Sequence, residues 1–171
     1  MSKIKYITLL GLFLALGLII PFVTSHGIGL PGNVLLPMHL PVLLTGYLLG
    51  PSAGLLLGII TPVLSGILTG MPPIFLMPIM AIELGLYGMF TGLFYHKLKL
   101  NVFTSLVLSL ILGKIGYGLT LFVLINLFNL TMFTKTSTVV AAAVTGLPGI
   151  IIQLILIPVL VKLLKPYMIN E

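Results

Sequence analysis

Two ionisable side chains, Glu83 and Lys114, lie deep inside long apolar runs. A lone charge in hydrocarbon costs several kcal/mol or more, and intramembrane charges mark functional sites by default. Their opposite signs allow a second resolution, a structural salt bridge between neighbouring helices, and both readings stay open. Tyr87 stands one helical turn beyond Glu83 and Tyr117 about one turn beyond Lys114, on the same faces. Asn126 and Asn129 lie further along the same run as Lys114, Gln153 falls midway along the last run, and His39 opens the second. His26 and Asn33 sit in the first polar break. Placed polar groups among aliphatic walls are what a small-ligand pocket needs, and these residues are the candidates for one in the outer half of a membrane. Ordinary interfacial polarity also accounts for His26, His39 and Asn33.

Missing patterns narrow the chemistry. There is no GxxxxGK[ST] loop and no HExxH pair, which removes two routes to ATP and zinc chemistry. Glu83 is the sole acid inside an apolar run, so no metal ligand set and no cofactor site is expected. The absence of cysteine excludes disulfides, thiolate clusters and a cysteine nucleophile. A Ser–His–acid triad would have to join Glu83 to His26, His39 or His96. All three histidines are expected near membrane edges, far in depth from Glu83, so the chain is not read as an enzyme. An autonomous proton-coupled carrier titrating Glu83 remains an alternative, although inverted repeats of the usual kind are not visible.

The elements that must position these residues follow from composition. Hydrophobic residues make up 59% of the 171 and charged residues 6%, against roughly 25% charged in a soluble domain. So few charges cannot clothe a water-facing surface, and hydrocarbon must be the main solvent. The runs are long rather than alternating, which selects helices over a barrel. Six spans are expected, at about 4–24, 34–50, 52–70, 74–95, 101–127 and 139–164, in one all-α membrane domain over residues 1–171. Gly50-Pro51, Gly70-Met71-Pro72-Pro73 and His96-Lys97-Leu98-Lys99 mark the breaks. Lys3, Lys5, Lys97, Lys99, Lys162 and Lys165 then fall on one side and Lys135 on the other. The positive-inside rule sets both termini in the cytoplasm of a bacterial plasma membrane. That placement also accounts for the net charge of +6 without nucleic acid.

Gly46, Gly50, Gly54 and Gly58 recur every fourth residue, Gly66 and Gly70 continue the spacing beyond Pro62, and Thr61, Ser65 and Thr69 run beside them, also four apart. The glycines let helix backbones approach, and the hydroxyls can bond back to carbonyls or line a cavity. Gly11 and Ala15 form a small-xxx-small pair on the first run. It serves either an intrachain contact or docking to a second membrane protein.

Several stretches together resemble a known family. They are Leu36-Pro37-Met38-His39-Leu40-Pro41-Val42-Leu43-Leu44, Gly50-Pro51-Ser52-Ala53-Gly54, Leu68-Thr69-Gly70-Met71-Pro72-Pro73, Gly113-Lys114-Ile115-Gly116-Tyr117-Gly118 and Leu147-Pro148-Gly149-Ile150-Ile151-Ile152-Gln153. The chain resembles the substrate-specificity (S) components of energy-coupling factor (ECF) vitamin importers. The resemblance implies capture of a vitamin or precursor from outside, docking on a transmembrane coupling protein driven by two cytoplasmic ATPases, and toppling in the membrane to release the ligand inside. It also implies docking through small residues of the first helix, where the family's AxxxA pattern reads Gly11-Leu12-Phe13-Leu14-Ala15 here. Within the family the pantothenate branch is the expectation, with Lys114 facing the carboxylate. If Glu83 neutralises Lys114, pyridoxine or a hydroxymethylpyrimidine fits as well.

Overall fold

Hydrocarbon offers no partner to a free backbone group, so each apolar run has to close its hydrogen bonds within itself. A computed structural model describes residues 2–24, 32–128 and 144–169, and all regular structure among them is helical. The helices are α1 (Lys3–Phe22), α2 (Gly32–Leu35), α3 (His39–Leu49), α4 (Pro51–Thr69), α5 (Met77–Gly92), α6 (Val102–Phe128) and α7 (Leu147–Ile169). A π-helical turn, Leu93–Lys97, extends α5. Among the described residues α1, α4, α5 with its extension, α6 and α7 are each long and apolar enough to cross a membrane.

The second expected span departs from a single helix. The run 34–50 is broken at Leu36, whose φ of 50° is left-handed, followed by Pro37, which holds the preceding residue out of the helical region. The His39 N–H returns to the Leu36 carbonyl (3.1 Å) to start α3. Eleven residues at a rise of about 1.5 Å reach only ~16 Å, half of the ~30 Å hydrocarbon layer. Such a piece is tolerated where protein rather than lipid surrounds it, and residues 41–47 are all buried. α3 is therefore the axis of the bundle, with α1, α4, α5 and α7 packed around it. The expected start of the sixth span, 139–143, lies outside the described residues, as do Lys135 and His26.

The glycine stripe is the seam that brings α4 onto α5. A Cβ on Gly54 would overlap the backbone of Gly88, and one on Gly58 the backbone of Leu84 and Gly85. The two chains thus touch backbone to backbone, the geometry that favours helix association in lipid. Gly46 meets Gly88 and the Thr91 hydroxyl in the same way from α3. Gly50 serves a different purpose: its φ of 98° makes the tight turn from α3 into α4. The hydroxyls beside the stripe are committed to backbone, Thr61 to the Leu57 carbonyl (2.7 Å), Ser65 to Met71 (2.7 Å) and Thr69 to Ser65 (2.7 Å). Their role is packing.

At the lysine-rich end, Tyr47 donates to the Val102 carbonyl (2.8 Å) and the His96 ring meets the Tyr47 carbonyl (2.8 Å). Lys165 lies over the Tyr95 ring, 5.2 Å from its centre. These contacts bring the end of α7 beside the turn that carries Lys97 and Lys99, as the charge asymmetry requires.

Candidate functional site

α5 and α6 place Glu83 and Lys114 opposite each other. The Lys114 ammonium donates to Glu83 Oε1 at 2.6 Å, with the carboxylate side chain 4% exposed and the lysine 17%. The Tyr87 hydroxyl, one turn along α5, donates to the same oxygen at 2.9 Å. On α6 the ammonium sits 5.4 Å from the centre of the Tyr117 ring, a cation–π distance. The pairing is the natural way to hold two ions in a low-dielectric interior, where either alone would be prohibitive.

His39 joins this group from α3. Its ring packs on Tyr87 with centroids 5.4 Å apart and planes tilted by 49°. The expectation that His39 lies far in depth from Glu83 is thus corrected: Tyr87 bridges the two. The physical reason is the break at Leu36–Met38, which starts α3 inside the bundle instead of at its rim. Sequence spacing alone assumed a full-length second span and so put His39 too far out.

Gln153 enters from α7 and is fully buried. It lies one turn beyond Gly149, whose missing side chain lets α7 rest on the carbonyls of Val34 and Leu35. The elbow that buries His39 is therefore the same segment that α7 leans on.

Hydrogen-bond accounting separates these residues from the rest of the interior. Nine polar or charged residues are buried among the described ones. Seven of them have partners: Thr45, Thr61, Ser65, Glu83, Thr91, Ser105 and Ser109. The other two are His39 and Gln153: among the described residues neither amide atom has a hydrogen-bond partner, and the His39 ring has only a loose approach to the Leu36 carbonyl. An unsatisfied buried polar atom costs about 1–3 kcal/mol, so a ligand or an ordered water that bonded these groups would stabilise the fold.

An open groove of about 490 Å³ runs between α6 and α7, walled by Leu110, Ile111, Ile150 and Leu154, with Lys114 at its edge as the one polar lining residue. Its lining is otherwise apolar and partly exposed, and neither His39 nor Gln153 lines it.

The remaining candidates fall elsewhere. Asn126 is exposed and donates to the Phe122 carbonyl of its own helix (2.8 Å), away from the cluster. Asn129 lies outside the described residues. Gly11 and Ala15 are exposed on α1, with open space where a Gly11 side chain would be. An intrachain contact is thus not what keeps Gly11 small. One contributor was missed in choosing site residues: Gly113, where a Cβ would overlap the Tyr87 ring. Its signal was its place immediately before Lys114.

The family model of ECF transporter substrate-specific components matches residues 5–161. No curated protein and no solved structure matches the chain. Proteins of this family are transporter subunits that bind a small-molecule substrate and pair with a membrane coupling protein and ATPases. With 157 consecutive residues inside that match and a helical bundle built to cross the cell membrane, this chain belongs to the substrate-specific components of ECF transporters.

Proposed function

We propose that the chain captures a vitamin or vitamin precursor at the cluster of His39, Glu83, Tyr87, Lys114, Tyr117 and Gln153, and delivers it inward after docking on the coupling protein through the α1 face bearing Gly11 and Ala15. The observation that carries the binding half is the pair of buried side chains His39 and Gln153: among the described residues the Gln153 amide has no partner and the His39 ring has only a loose approach to the Leu36 carbonyl. The docking half rests on two small residues left exposed on an apolar helix, where a close helix approach from outside is sterically open. The protein is read as one membrane domain with both termini inside, which sets the docking face among the helices that a coupling protein in the same bilayer can reach.

Pantothenate is the first candidate ligand, its carboxylate directed to Lys114. A second reading has a specific observation behind it. Lys114 is already bonded to Glu83 at 2.6 Å, which favours an uncharged ligand such as pyridoxine or a hydroxymethylpyrimidine.

The test is uptake of labelled vitamins by cells that lack their own importers. Cells carrying this chain together with a coupling protein and two ATPases accumulate the ligand, and cells carrying this chain alone do not. Uptake by the chain alone, lost on Glu83→Gln, would establish the proton-coupled carrier instead.

A further inference from the structure

The free hydrogen-bonding capacity of the cluster says what its ligand must offer. The Gln153 carboxamide has a donor and an acceptor side by side, and both are unpartnered and fully buried. A neutral imidazole has the same mixed character, one nitrogen donating and the other accepting, and the His39 ring has only a loose approach to the Leu36 carbonyl on one side. The Tyr87 hydroxyl gives its proton to Glu83 and keeps a lone pair. The positive charge of Lys114 is compensated by the carboxylate at 2.6 Å. A carboxylate or phosphate brings acceptors only. It would satisfy the Gln153 N–H groups and leave Gln153 Oε1 and one His39 nitrogen unmatched. It would also add a second negative charge beside Glu83, with one ammonium between them.

From this, and resting on the importer reading above, we infer that the ligand is uncharged where it meets the cluster and presents a donor and an acceptor on adjacent atoms, the edge of an amide or an amino- or hydroxy-substituted aza-ring, to Gln153 and His39. Glu83 is then a specificity element: it cancels the charge that would otherwise select an anion. Gln153 is the direct contact, matched by a two-point hydrogen bond. Rejection of the wrong class is strong, because a buried donor or acceptor left unpaired penalises the complex more than a lost contact does.

Matched pairs that differ in one acid group test this with little ambiguity: pantothenol and pantothenate, pyridoxine and 4-pyridoxate, nicotinamide and nicotinate. Each is titrated calorimetrically into the full chain in lipid nanodiscs. In any pair that binds, the neutral member is expected to bind at least tenfold tighter. Gln153→Leu should weaken that binding tenfold or more while raising the thermal midpoint, since it removes two unpartnered polar atoms. A purely structural Gln153 would lower the midpoint instead. Glu83→Gln should shift the preference towards the acid member by tenfold or more. An acid member that wins in the wild-type chain overturns the charge inference and leaves the importer reading standing, as does full affinity of Gln153→Leu for the neutral member. Failure of all six compounds to bind, with no competing small molecule released on denaturation, overturns the importer reading itself.

Discussion

Replacing Lys114 with Met removes the ammonium and leaves Glu83, 4% exposed, as a carboxylate held in the interior by Tyr87 alone. At 2.6 Å and an effective dielectric of about 20, the lost attraction is on the order of 6 kcal/mol. Relaxation and proton uptake return part of it, so the net loss should fall near the ~3–5 kcal/mol typical of breaking one side of a buried pair. Glu83→Gln strands the ammonium instead, but the amide oxygen can still accept from Tyr87, so its loss should be the smaller of the two. The double variant leaves no charge behind and should recover most of the stability. The cycle then yields a coupling of at least ~2 kcal/mol, within the range found for residues in direct contact. The chain has no tryptophan and no cysteine, so far-ultraviolet circular dichroism during thermal unfolding in detergent is the suitable probe. With about 2–4 °C per kcal/mol for a chain of this size, the lysine variant should melt on the order of 10 °C lower. If each single variant loses less than ~1 kcal/mol and the coupling is near zero, the pair is not desolvated as described, and the reasoning that places Glu83 and Lys114 at the heart of the bundle fails.

Other outcomes follow from the same geometry. Gly11→Leu or Ala15→Leu should abolish co-purification with the coupling protein and leave ligand titrations unchanged, since both positions are exposed on α1; an intact complex would remove the docking role. Gly113→Val should push the Tyr87 ring off its seat and weaken ligand binding tenfold or more without touching any polar group, and full affinity would show that Tyr87 does not need that contact. Asn126→Ala should leave binding within twofold, because its amide is spent on the Phe122 carbonyl; a large loss would bring the outer end of α6 into the site.

Much of this arrangement was legible in the residues. The pairing of Glu83 with Lys114 follows from charge, depth and the short connection between their helices. The glycine stripe announced a close helix approach through its four-residue period, but not that α5 would be the partner. What was not legible was depth along the second span. Hydropathy cannot distinguish one continuous spanning helix from a span made of an elbow and a short buried helix, and Leu36 carries no sequence mark of its left-handed conformation. His39 was accordingly placed at the rim, when it reaches the bundle interior. Gln153 was recognised as an amide in need of a partner. Whether the chain supplies that partner depends on packing between α7 and the 34–39 segment, which no local pattern encodes. Asn126 shows the converse: its spacing fits the polar face, yet an exposed carbonyl four residues back satisfies it more cheaply than any distant group.

The account stands on His39 and Gln153 being buried for the sake of a guest molecule. The most direct check is mass spectrometry of small molecules released by denaturing the protein purified from rich medium, with Gln153→Leu processed in parallel. One water-soluble compound, near stoichiometric in the wild-type sample and strongly depleted in the variant, is the predicted result. Equal amounts from both, or none from the wild type, would contradict it.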